Sequence, residues 1–233
     1  MASTLIGAGR DEELDPIALE IARALQGPES VAHAMLSARL RQQTASWDDT
    51  REAVETAWRH TPRGLWVLRQ MAAHARARGE HGLALECDRA LGERTSRPSE
   101  AATLSLRAAQ SALKAGQIED ALAFLSQTIE LVPHHVVAHL ELAAVLEATN
   151  NPAGAAAALE AAASACASPA EQARILYRAA QMWQDKADDS MHARQALEAV
   201  AAVDPSFEDV FQRLRGIYIA DGARAELAAL LER

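Results

Sequence analysis

The chain has 233 residues, of which 49% are hydrophobic, 24% charged and only 4% aromatic, and it carries a formal net charge of −9. Roughly a fifth of the residues are alanine, while β-branched and aromatic strand formers are scarce. This length holds one large domain or two small ones. The composition predicts packed helices with small residues between them and excludes a β-sandwich, a barrel and a disordered chain.

The acidic balance repels phosphate backbones and anionic lipid surfaces, so neither nucleic acid nor a membrane surface is an expected partner. No apolar run reaches the ~18 residues that a membrane-crossing helix needs. Residues 1–14 read as a flexible N-terminal tail, without the charged lead and apolar core of a secretory signal. Within the tail, Thr4-Leu5-Ile6-Gly7-Ala8-Gly9 resembles the opening of a dinucleotide-binding turn. The third glycine would fall at Glu12, and neither a preceding strand nor a βαβ unit accompanies it, which argues against that use. Cys87 and Cys166 lack CxxC spacing and read as small buried residues of a reducing compartment. The expected location is the cytoplasm.

A first helix is expected near residues 15–26. From there the prolines impose order. Pro28, Pro62, Pro98, Pro133, Pro169 and Pro205 follow one another at steps of 34, 36, 35, 36 and 36 residues. Proline lacks an N–H and restricts the residue before it, so it ends one helix or opens the next. Between them runs a second ladder, Gly79, Gly116, Asn150, Asp188 and Gly222, at steps of 37, 34, 38 and 34. These residue types accept the left-handed backbone that closes a helix. Each unit is therefore a helix, a tight turn, a second helix and a proline-marked turn, the period of a helical-hairpin array. The segments Ser105–Lys114, Asp120–Leu131, Ala138–Ala148 and Arg174–Lys186 repeat apolar or alanine positions every three to four residues, as helices do. About thirteen helices are expected: the first, then six hairpins. Ser168 before Pro169, and Asp204 before Pro205, look like helix starts. Asp48-Asp49 and Asp188-Asp189 are expected to cap the helices after their turns.

Within the units, Ala108-Ala109, Gly116, Ala121, Leu125 and Pro133 recur at fixed offsets. The following units repeat them as Leu142-Ala143, Leu146, Asn150, Ala155, Leu159 and Ala162; Leu176, Ala179-Ala180, Trp183, Ala193, Leu197 and Pro205; and Phe211, Leu214, Tyr218, Gly222, Leu227 and Leu231. An earlier unit has Leu68, Met71-Ala72, Gly79, Ala84 and Leu91. This pattern resembles the tetratricopeptide repeat of bacterial-type helical repeat proteins, closely over 65–233 and loosely over 30–62. The resemblance implies an all-α, right-handed superhelical solenoid of about six antiparallel hairpins with an extra N-terminal helix. It divides the chain into a tail (1–14), N-terminal helices with a degenerate repeat (15–64) and a repeat array (65–233). Small residues such as Ala109, Ala121, Ala143 and Ala155 are expected where helices approach closely, and Leu125, Trp183 and Tyr218 where hairpins meet.

The same resemblance implies a concave groove lined by the first helix of each hairpin. The matching positions are Trp66, Arg69 and Arg76; Leu106, Gln110, Leu113 and Lys114; Val137, Leu140 and Glu147; Arg174, Tyr177, Gln181 and Gln184; and Gln212 and Ile219. Trp66, Leu106, Leu113, Val137, Leu140, Tyr177 and Ile219 would form an exposed apolar row suited to a partner's helix or extended segment. Leu106 and Leu140 stand where the family's carboxylate clamp would want lysine, so a receptor for chaperone tails is not expected.

Catalytic signatures are lacking: the chain holds no GxSxG, Walker loop, HExxH or Cys–His arrangement. His134, His135 and His139 cluster, but the first two belong to a turn and the third takes a large-residue position, so packing rather than metal is expected. His74, Arg76, Arg78 and His81 read as a solvated turn. No cofactor or metal is expected. The predicted function is a non-catalytic protein-interaction scaffold or adaptor that binds a protein or peptide. The alternative is a structural module whose C-terminal leucines, Leu227, Leu230 and Leu231, pair with another subunit or continue into a longer array.

Overall fold

The computed structural model describes residues 11–25, 28–44, 47–60 and 64–231, and among them the regular structure is helical throughout. In chain order the helices are α1 (Asp11–Ala24), α2 (Pro28–Thr44), α3 (Trp47–His60), α4 (Leu65–Arg78), α5 (His81–Gly92), α6 (Pro98–Lys114) and α7 (Ile118–Leu131). They continue as α8 (Val136–Ala148), α9 (Pro152–Ala165), α10 (Pro169–Asp185), α11 (Ser190–Val203), α12 (Glu208–Asp221) and α13 (Arg224–Leu231). This is the expected single helix followed by six hairpins.

The turn ladder has its physical cause in the backbone. Gly79, Gly116, Asn150, Asp188 and Gly222 all have positive φ, from 54° to 75°. After such a residue the chain reverses and the next helix starts within one to three residues. Gly79 and Gly222 also donate their N–H groups to the last carbonyls of α4 and α12, which satisfies acceptors that a helix end otherwise leaves open. Prolines occupy the first turn of α6, α9 and α10, where a missing N–H costs nothing. Pro133 and Pro205 lie in the turns themselves, and Pro62 is outside the described residues.

The caps follow the sequence in part. Asp189 accepts the His192 N–H at 3.0 Å and caps α11, whereas Asp188 is the left-handed turn residue. Asn151 accepts from the Gly154 N–H at 3.0 Å and caps α9. Ser168 precedes α10 but makes no side-chain cap. Asp204 binds the Ser206 N–H and hydroxyl within its own turn, and α12 starts only at Glu208. Asp204 thus serves the turn rather than the helix start. Asp48-Asp49 fall inside the first turn of α3, and their side chains are outside the described residues, as is the Thr4–Gly9 segment. Helix α1 begins at Asp11 rather than near 15, placing Pro16 in its second turn.

The chain divides into two compact units, residues 1–121 and 122–233, with the boundary inside α7. The core of the first gathers Leu19, Val54, Val67, Leu68, Met71, Cys87, Leu91 and Leu104 around alanines. The core of the second gathers Leu159, Leu176, Trp183, Leu197, Val200, Leu214 and Tyr218. Ala109, Ala121, Ala143 and Ala155 are at most 1% exposed, and Leu125 is fully enclosed. Alanine at these positions lets helix axes approach, and the leucines one turn away fill the remaining volume. The second-unit core thins at its C-terminal hairpin, where α13 has no fully buried residue.

Candidate interaction surfaces

The first helices do not present the expected apolar row. Val137 and Ile219 are exposed, at 47% and 57%. Trp66, Leu106, Leu113, Leu140 and Tyr177 are half-buried. Trp66 packs on the first core, and Leu140 and Tyr177 on the second. The reason is the spacing of the helices: with alanine at the contacts, neighbouring helices close over large side chains that a sequence pattern counts as outward.

In the second unit the first helices α8, α10 and α12 are bridged by polar side chains. Glu147 of α8 receives Arg178 of α10 at 3.2 Å and Lys186, the residue that follows α10, at 2.5 Å. These donors, the Lys186 hydrogen bond foremost, hold the Glu147 carboxyl below the ordinary glutamate range. Tyr177 donates its hydroxyl to Asp209 of α12 at 3.0 Å, and Arg213 donates to the Tyr177 oxygen at 3.1 Å and to Gln184 at 2.7 Å. The Arg213 guanidinium also lies 5.6 Å from the Tyr177 ring centre, and Phe207 packs 4.9 Å from that ring. Burial, then the Asp209 hydrogen bond, raises the Tyr177 pKa. Three expected groove residues, Glu147, Tyr177 and Gln184, thus sit on a polar seam, and Gln181 is half-buried. Arg174 and Gln212 remain exposed beside it.

In the first unit the expected site residues divide. Arg76 is paired within the fold: its guanidinium meets Asp88 of α5 at 2.6 Å, and Asp88 is 1% exposed. Burial raises the Asp88 pKa against the opposing pull of Arg76 and Arg107. His74 is buried as well, not part of a solvated turn. Gln110 and Lys114 are exposed on α6. Arg69 pairs with Glu100 of α6 at 2.6 Å and borders an open cleft of about 830 Å³. Arg97, Ser99, Thr103, Leu104 and Arg107 complete its lining. Sequence reading missed Arg97 and Arg107. The signal was present, because positions 97, 100, 104 and 107 recur at three and four residues and so share one helix face.

Two further cavities lie at the C-terminal hairpin. One of about 370 Å³ is lined by Glu198, Tyr218, Glu226 and Leu230, among others, and one of about 240 Å³ by Phe207, Phe211 and Leu214. The Tyr218 hydroxyl donates to Glu198 at 2.9 Å. Burial first, then that hydrogen bond, pushes its pKa up to about 12.

The histidine cluster is built into a turn. His135 caps α8 by accepting the Ala138 N–H at 3.2 Å, and the buried His139 ring bonds the Pro133 carbonyl at 2.8 Å. His134 is exposed. Among the described residues no group of three or more His, Cys, Asp or Glu side chains is arranged to hold a metal, and no helix is long and apolar enough to cross a membrane. Cys87 is buried, while Cys166 is half-buried at the end of α9 with its thiol 3.6 Å from Glu171. The expectation of two buried cysteines thus holds for one.

No curated protein sequence matches the chain. Among solved structures, Naa15/Naa10 bound to HypK-THB aligns over 93% of this chain and 32% of that one, with a TM-score of 0.65 and 16% identity. YrrB, described as a TPR protein with an unusual peptide-binding site, aligns over 77% of this chain and 89% of that one, with a TM-score of 0.54 and 14% identity. At such identities the likeness concerns the fold. The tetratricopeptide-repeat family model matches residues 112–176, a stretch that contains the Gly116 and Asn150 turns and the Ala121, Leu125, Ala143, Ala155 and Leu159 packing positions. Residues 112–176 thus match the tetratricopeptide repeat, and the described residues on either side continue as the same kind of helical hairpins.

Proposed function

We propose that the chain is a non-catalytic interaction scaffold or adaptor that docks a segment or domain of another protein on the first helices of its hairpins. The observation that carries this reading is the polar seam across α8, α10 and α12. The half-buried side chains of Tyr177, Gln184 and Arg213 hold one another on that face, while Val137, Arg174, Gln212 and Ile219 stay exposed beside it. A face held by cross-helix bonds is pre-organised, and a partner loses less entropy in ordering it. The family's structural relatives, among them the peptide-binding YrrB and Naa15 with HypK, make a protein or peptide the natural class of partner. No bond-making chemistry and no cofactor enter this reading.

The test is site-specific photocrosslinking in the source cell. Benzoylphenylalanine at Val137, Arg174 or Ile219 should give discrete protein adducts. The same group at Glu130 or Gln195, exposed positions of the second helices α7 and α11, should not. Adducts of equal yield from both sets would overturn the first-helix reading.

A second reading is self-association through the C-terminal hairpin. It is favoured by the two apolar-lined cavities there and by exposed Phe211 and Leu231. Sedimentation equilibrium would then show a dimer that Phe211→Glu returns to monomer, and a concentration-independent monomer would exclude it.

A further inference from the structure

We infer that the cleft between α4 and α6 is a docking site for a short acidic protein segment, one rich in aspartate and glutamate. The inference adds to the scaffold reading a second surface, on the other compact unit, with a partner of defined charge.

The electrostatics are local and opposed to the rest of the molecule. The chain as a whole carries −9, yet this cleft is lined by three arginines, Arg69, Arg97 and Arg107, against one carboxylate, Glu100. Arg97 and Arg107 are exposed. Arg97 precedes the first turn of α6, where the helix N-terminus adds positive potential. Thr103 turns its hydroxyl back to the Ser99 carbonyl at 2.9 Å and so is not the ligand's partner. Leu104 is the one apolar lining residue and is itself buried. The recognition on offer is therefore charge pairing by guanidinium groups, which suit carboxylates through their two-pronged geometry.

The acidic remainder selects among anions. A long polyanion such as nucleic acid would meet net repulsion beyond the cleft, whereas a short carboxylate-bearing segment places its charge only where the arginines are. The open cleft of about 830 Å³ has room for several side chains of an extended segment laid across it.

Glu100 occupies the cleft in the free protein. It holds Arg69 at 2.6 Å, with both side chains well exposed, at 58% and 36%. Such pairs contribute little stability, so an incoming carboxylate displaces Glu100 at small cost. Glu100 is then a built-in competitor, and its removal should tighten binding.

The test is fluorescence anisotropy of a rhodamine-labelled decamer of alternating aspartate and glutamate with the full chain. Wild type should bind at about 50 mM salt and weaken as salt screens the pairing. The double reversal Arg97→Glu and Arg107→Glu should weaken binding by about tenfold or more, the scale of two lost and inverted charge contacts. Glu100→Gln should tighten it severalfold. A control of equal charge change, Arg215→Glu with Arg224→Glu on the other unit, should leave it within about twofold. Circular dichroism confirms that each variant is helical. Absence of salt-sensitive binding, equal loss from both double reversals, or no gain from Glu100→Gln overturns the proposal. So does an oligothymidylate decamer that binds as tightly as the peptide, which would mark a general anion site. None of these outcomes touches the photocrosslinks at Val137 and Arg174, so failure here and failure of the scaffold reading are separable.

Discussion

At the scale of single residues, Asp88 carries a buried charge that Arg76 answers. It is a carboxylate removed from water on α5, tied to Arg76 of α4, with its Oδ1 left without a hydrogen-bond partner among the described residues. Arg76→Leu leaves that charge uncompensated and should cost about 2–3 kcal/mol at pH 8, below the full buried-pair value because Arg76 is itself partly exposed. The sign with pH follows from the raised pKa. The folded carboxyl holds its proton more tightly than the unfolded one, so its contribution to stability falls as pH rises from the ordinary aspartate range through the raised value. The Arg76→Leu penalty should therefore shrink between pH 8 and a distinctly acid pH, as Asp88 takes up a proton. Urea midpoints at the two pH values measure it, and a penalty independent of pH would rule out the ion pair as its cause. Glu147 behaves oppositely. Its carboxyl is held low by Lys186 and Arg178, so its stabilisation is present above the ordinary glutamate range and lost as pH falls through the folded value. The stability gap between wild type and Glu147→Gln should close on acidification.

Helices here are terminated by conformation more than by side-chain caps. Gly116 sits at φ 75°, and a Cβ added there would meet nothing within 4 Å, so Gly116→Ala meets only the backbone penalty of the left-handed region. We expect a loss of about 1 kcal/mol. At Asn150, already at φ 60° with a side chain, Asn150→Gly should be neutral within about 0.5 kcal/mol, since asparagine tolerates this region. Thermal unfolding of the two variants separates these effects. Packing sets a second contrast. Leu159 is fully buried in the second core, and Leu159→Ala should cost about 2–5 kcal/mol through the cavity it leaves. Helix α13 buries no residue completely, so its amides should exchange with deuterium well before those of α9 to α11, as mass spectrometry of peptide fragments would show.

At the scale of the molecule, the two compact units each have their own core and each carries one cysteine. Cys87 lies in the first core, and burial pushes its thiol up to about 11. Cys166 lies in the second unit and is half-buried. Reaction with a disulfide reagent at pH 8 should label Cys166 rapidly and Cys87 only when the first unit opens, because the thiolate is the reacting species. Two equally fast thiols would show that the first core is loosely held. The rate at Cys87 across urea concentrations then reports the stability of that unit by itself, in a repeat protein whose hairpins depend mainly on their neighbours.

The order of elements was legible in the sequence because it rests on local rules. Five residues at one period each need the left-handed backbone, and prolines at the same period each start or follow a helix, so six hairpins could be counted without any tertiary contact. The alanine positions were legible for the same reason, since a repeating small residue marks a close helix crossing. The surface was legible only in part. Trp66, Leu140 and Tyr177 have outward spacing on their own helices, yet neighbouring hairpins half-cover them, and Arg76 is taken up by a carboxylate twelve residues away. Arg97 and Arg107 gain meaning only beside Arg69, which lies on another helix. Periodicity along a chain specifies which face of a helix a residue occupies. What lies opposite that face, and hence whether a residue packs, pairs or waits for a partner, is decided by contacts between elements far apart in sequence.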